Sequence, residues 1–124
     1  MDRRRFEQIA EDQLAALPRA LLDRIDNVTI WVEDWPDPQT LAEMGIRERD
    51  GLLGLYQGWP LSERTHDIVA RLPDRIVLFQ GPIERYAAAW GVPVEEVVRD
   101  TLVHEIGHYL GLSEAQLRRL ERGG

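Results

Sequence analysis

The stretch His104-Glu105-Ile106-Gly107-His108-Tyr109-Leu110-Gly111-Leu112-Ser113-Glu114 decides how the rest of this chain is read. It closes the longest predicted helix, which runs from Pro93 to Leu110. Glu95 and Glu96 sit in the first turn, where the helix dipole favours acids, and Gly111 is a natural C-terminal stop. Four residues at about 3.6 per turn set the two imidazoles roughly 40° apart around the axis. Both can therefore reach one ion. Glu105 follows His104 by about 100°, close enough to touch a water on that ion without ligating it. On the same wheel Val97, Thr101, His104, His108 and Gly111 share one face. Val98, Leu102, Ile106, Tyr109 and Leu110 form an apolar arc that anchors the other. The pattern H-E-x-x-H within a helix points to a zinc site.

A structural zinc usually has four protein ligands, whereas a catalytic one keeps a position open for water. The chain has no cysteine and only three histidines, so the third ligand comes from a short set. Glu114 follows His108 by six residues, and a left-handed Gly111 can turn the chain back beneath the imidazoles. An acid at that place also suits the first turn of the next helix without any metal. His66, in a distant loop, is the other candidate. Asp100, one turn before His104, can accept its second N–H as an outer partner, or simply face solvent. Tyr109 reads as core packing, while Tyr56, His66 and Tyr86 are unplaced candidates for steadying a developing oxyanion.

The whole chain has 124 residues, which suits one domain over 1–124. Fifteen Lys and Arg against 22 Asp and Glu leave a net charge of −7, which argues against nucleic acid as a partner. The absence of cysteine excludes disulfide scaffolds, thiolate metal sites and cysteine nucleophiles. The start MDRRRFEQIAED lacks the apolar segment of a secretory signal, and no apolar run reaches the ~20 residues that span a bilayer. The expected location is cytoplasmic, with no membrane partner.

Working outward from the motif, Phe6, Ile9, Ala10, Leu14 and Leu17 mark an amphipathic first helix, with a short second one from Pro18 to Leu22. Strands are predicted over Asn27–Trp31, Leu52–Gln57 and Arg75–Gln80. Gly54 marks either a bulge or the close approach of another backbone. A short helix falls around Thr40–Met44, and residues 59–74 read as a long loop. Gly81-Pro82 is expected to delay the following helix to Ile83–Trp90. Ser113 and Gln116 form a capping box for a last helix over 114–122. Trp31, Trp35, Trp59 and Trp90 read as core or loop anchors, with Trp59 near a cleft rim. This is an α+β chain.

With Glu114 included, the pattern H-E-x-x-H-x-x-G-x-x-E resembles the small bacterial zincin-like metallopeptidases of minimal fold. The stretches L-L-G-L-Y-Q-G-W-P-L-S-E-R and R-I-V-L-F-Q-G-P-I support the resemblance less specifically, and it spans roughly residues 50–120. It implies a small three-stranded mixed sheet packed on helices that include the active one. It also implies zinc on His104, His108 and Glu114, with Glu105 as catalytic base of a metalloendopeptidase. The chain departs from the Asp-type members by carrying the longer acid at 114. Metzincins differ in a third histidine and a downstream Met-turn, since Met1 and Met44 both lie upstream here. The resemblance further implies an antiparallel edge strand, which chain order assigns to residues 52–57 and to which a peptide substrate can add. Little chain follows Glu114, so a partner or a second copy is expected to complete the cleft. That shortness also leaves a second reading, a zinc-binding regulatory module with negligible hydrolysis.

Overall fold

In the computed structural model, residues 1–25, 27–58 and 73–121 are described. They comprise helices α1 (Arg3–Ala15) and α2 (Arg19–Leu22), strand β1 (Val28–Glu33) and helix α3 (Pro38–Glu43). A 3₁₀ turn (Arg49–Gly51) leads to β2 (Gly54–Gln57). After the undescribed part of the predicted loop come β3 (Asp74–Phe79), α4 (Gln80–Trp90), α5 (Val94–Leu110) and α6 (Glu114–Glu121). His66 and Trp59 lie outside the described residues.

The strand order is β1-β3-β2, with β1 parallel and β2 antiparallel to the central β3. This is the α+β arrangement with a small mixed sheet that the sequence led us to expect. Central position explains the unbroken apolar run of β3. Ile76 and Leu78 enter the main core with α1 and α5, while Val77 and Phe79 meet Leu41 and Leu52 in a smaller cluster on the other face. A strand covered on both faces loses the apolar–polar alternation. β1 keeps it, with Trp31 exposed between Ile30 and Val32.

Arg3 begins the basic run Arg3-Arg4-Arg5, yet it acts as an internal brace. Its guanidinium donates to the Val32 carbonyl (2.8 Å) and to Gln80 Oε1 (3.2 Å), and it pairs with Asp34. One side chain thus ties α1 to the end of β1 and the start of α4. The helix α4 begins at Gln80, three residues earlier than expected. Gly81 and Pro82 occupy its first turn, where a missing N–H costs nothing because no intrahelical acceptor exists. Gly81 also sits under Trp35, whose ring would meet a Cβ there at 2.5 Å.

Gly54 resolves as a close approach, since β2 pairs with β3 in continuous register. A Cβ at Gly54 would stand 2.7 Å from the Thr101 methyl. The missing side chain lets β2 lie against α5, and this contact builds the site.

Candidate metal and catalytic site

In the first half of α5, Val97 and Thr101 on the histidine face are buried like Val98 and Leu102 on the opposite one, while Glu95, Glu96 and Asp100 are exposed. Cover ends at the next turn, so His104 and His108 emerge into solvent from a helix gripped at its base. Tyr109, expected in the core, is 44% exposed. It stacks on Tyr56 with ring centroids 4.0 Å apart, covering the end of β2 from outside the core.

His104 Nδ1 lies 2.8 Å from the backbone carbonyl of Asp100. A carbonyl only accepts, so the proton belongs on Nδ1 and the lone pair on Nε2. The ring N–H of His104 is thus partnered by the Asp100 backbone and not by its carboxylate, and Asp100 itself is exposed, as the solvent-facing alternative expected. Nε2 faces Glu114 Oε1 at 3.5 Å. Two ligands bound tetrahedrally at about 2.0–2.1 Å stand about 3.3 Å apart, so this pair is close to ligand spacing.

The return of Glu114 has two causes. Gly111 adopts φ +71°, the left-handed cap anticipated for it, and Leu112 N–H closes onto the Gly107 carbonyl at 2.9 Å. Ser113 and Gln116 then cap α6 reciprocally, at 3.1 and 2.8 Å. The second cause is Gly107, whose role the sequence reading missed. A Cβ there would meet the buried Leu117 side chain at 2.6 Å, so the bare backbone of α5 is the seat of α6. A glycine interrupting a helical pattern was the available signal, because it costs about 1 kcal/mol and usually has a packing reason.

The donor set of two imidazoles and a carboxylate suits zinc. The spacing is incomplete at His108. Its ring is edge-on to that of His104, with centroids 6.4 Å apart, against about 5 Å for two imidazoles sharing an ion. Among the described residues no three such side chains stand together closely enough to hold an ion as placed. His108 is exposed, so core packing does not fix the orientation of its ring.

Glu105 lies between the histidines in sequence and points instead at the sheet, where its Oε1 accepts the Tyr56 N–H at 3.1 Å. The ladder explains why that N–H is available. Phe79 N–H bonds to the Leu53 carbonyl, so alternate residues Gly54 and Tyr56 turn their N–H groups away from β3. Partial burial raises the Glu105 carboxyl above the usual range, opposed by this hydrogen bond and by the nearby His108 and His104. Tyr56 itself is committed elsewhere, its hydroxyl donating to Asp74 Oδ2 at 2.9 Å.

A family model for zincin-like metallopeptidases matches residues 25–124. The chain belongs to the zincin-like metallopeptidase family. Among solved structures, a conserved hypothetical protein from Thermus thermophilus is similar, with a TM-score of 0.54 and 23% identity. The match covers 89% of this chain and 94% of that one, and it speaks for the fold alone. No curated protein matches the chain. Among the described residues, no helix is long and apolar enough to cross a membrane.

In this zincin-like chain the seat of α6 is open to test. Alanine favours a helix interior over glycine by about 0.8–1.0 kcal/mol, but overpacking a filled core costs about 1–3 kcal/mol. Gly107→Ala is therefore expected to lower the melting temperature and, by displacing Glu114, to weaken zinc binding more than about tenfold. Zinc titration and thermal melts check both. Wild-type zinc affinity in a folded variant would detach Leu117 packing from the placement of Glu114.

Proposed function

We propose that this chain is a zinc-dependent peptidase, with His104, His108 and Glu114 holding the metal and Glu105 serving as base and then acid. One arrangement supports the reading most. The free lone pair of His104 and the Glu114 carboxylate converge, while the edge strand holds Glu105 on the same turn of helix. Zinc, when bound, supplies Lewis acidity for a water and for the carbonyl under attack. Glu105 takes the proton of the attacking water and passes it to the leaving amine. Because Tyr56 N–H occupies Oε1, Oε2 is the oxygen left to carry that proton. The peptide lies as an added strand along the edge of β2, where Glu105 holds the Tyr56 N–H and, among the described residues, the Gly54 N–H and carbonyl are left to fix its register.

Digestion of a peptide library by zinc-loaded and chelator-stripped protein tests the proposal, with metal content measured on the same samples. The expected result is about one zinc per chain and cleavage that disappears on chelation. Zinc retained without any cleavage would replace the enzyme with a zinc-binding module.

Glu114 has its own test. A carboxylate acting only on the helix dipole contributes about 0.3–1 kcal/mol, and outer-shell partners of a metal change its affinity about 10–100-fold. Glu114→Gln is expected to exceed the dipole effect and weaken zinc by more than about tenfold. A smaller loss in a zinc titration would remove Glu114 from the ligand set and return the question to His66.

A further inference from the structure

Beside His104 and Glu105, between the start of β2 and the first half of α5, lies a cavity of about 340 Å³. That is large enough for a long side chain, at the lower end of the range for small-ligand pockets, about 300–1,000 Å³. Its walls are apolar where they are deep. Leu52 and Val97 are buried, and the hydroxyl of Thr101 is spent on the Val97 carbonyl at 2.7 Å. Tyr86 of α4 adds an aromatic wall.

Besides Tyr86, the titratable residues lining this cavity are Asp100, Glu105 and His104, the last a proposed zinc ligand, and Asp100 makes no side-chain hydrogen bond or ion pair among the described residues. The nearby cations are already engaged. Arg85 pairs with Asp50 at 3.6 Å and lies over the Trp35 ring, while Arg99 pairs with Glu121 at 3.5 Å. A cavity with buried apolar walls and the unpaired Asp100 carboxylate at its side fits a side chain with a methylene stem and a cationic tip. Tyr86 adds a ring of the kind that cations favour.

Strand direction says which residue of a peptide enters. β2 runs from Gly54 toward Gln57, and the cavity opens at its Gly51–Gly54 end. An antiparallel added strand runs the opposite way, so its C-terminal part lies over that end. From this geometry we infer that the cavity binds a Lys or Arg side chain on the substrate residue following the cleaved bond, with Asp100 selecting the charge. The inference rests on the peptidase reading and on antiparallel addition at β2.

Two measurements test it. Zinc-loaded protein is given a peptide library, and the residue after each cut is read from the products. Separately, zinc-loaded Glu105→Gln protein is titrated with paired labelled peptides that differ only in Lys against norleucine. Lys and Arg are expected to be enriched after the cut, and the Lys peptide is expected to bind about three- to fivefold more tightly at low salt, less at high salt. Asp100→Asn is expected to bring that ratio toward one, and Asp100→Lys to favour a Glu peptide instead. Cleavage without basic enrichment would overturn the inference and leave the peptidase intact. A Lys preference that responds to Asp100, without cleavage by wild type, would keep the binding pocket and remove the enzyme. An unchanged ratio in both Asp100 variants would overturn the role of Asp100.

Discussion

Glu105→Gln is expected to lower peptide cleavage about 10²–10⁴-fold while zinc content stays at the wild-type level, the usual contribution of a positioned base. Glutamine keeps the length of the side chain, and its amide oxygen can still accept the Tyr56 N–H. What it loses is the site that receives a proton. The metal's proposed ligands are untouched, so binding and chemistry separate cleanly. Steady-state cleavage with metal analysis on the same preparation measures both. Activity within a few-fold of wild type would make Glu105 a structural contact between α5 and β2. Loss of zinc together with activity would instead show that Glu105 helps to assemble the metal site.

His108→Ala is expected to show its whole effect only when zinc is present. The side chain is exposed and belongs to no core cluster, so the metal-free variant should melt close to the metal-free wild type. A ligand that binds only the folded state stabilises it by mass action, about 4 kcal/mol when free zinc is a thousand times its Kd. Such a gain raises the melting temperature of a small domain by well over 5 °C, at about 4–8 °C per kcal/mol for 60–100 residues and about 2–4 °C for 150–250. Zinc titrated into the wild type should produce that rise, and the variant should show little of it. An equal zinc-dependent rise in both would remove His108 from the ligand set and break the H-E-x-x-H reading.

The local elements were legible because each depends on residues close in sequence. The helix that carries His104 and His108, the glycine stop at 111 and the Ser113–Gln116 cap are short-range geometry and form as expected, whereas the two imidazole rings stand apart. β3 was legible from its apolar run, and the start of α4 was misplaced because Gly81-Pro82 breaks a helix interior but suits a first turn. Tyr109 sits on the apolar arc of the wheel, yet while Ile106 and Leu110 of that arc pack on the core, Tyr109 is exposed and stacks on Tyr56.

By itself, then, the sequence determined which residues share a helical turn, which donors a metal could use, and that an acid follows six residues after the second histidine. These follow from helix pitch and side-chain chemistry. Only the tertiary structure decided where those groups point. Gly54 allows β2 to reach Thr101, which puts the Tyr56 N–H on Glu105, and Gly107 seats Leu117, which carries Glu114 back toward His104. Both contacts join segments whose meeting depends on what a missing Cβ leaves open. Periodicity records a glycine only as an interruption, because the partner that fills the gap lies on another element.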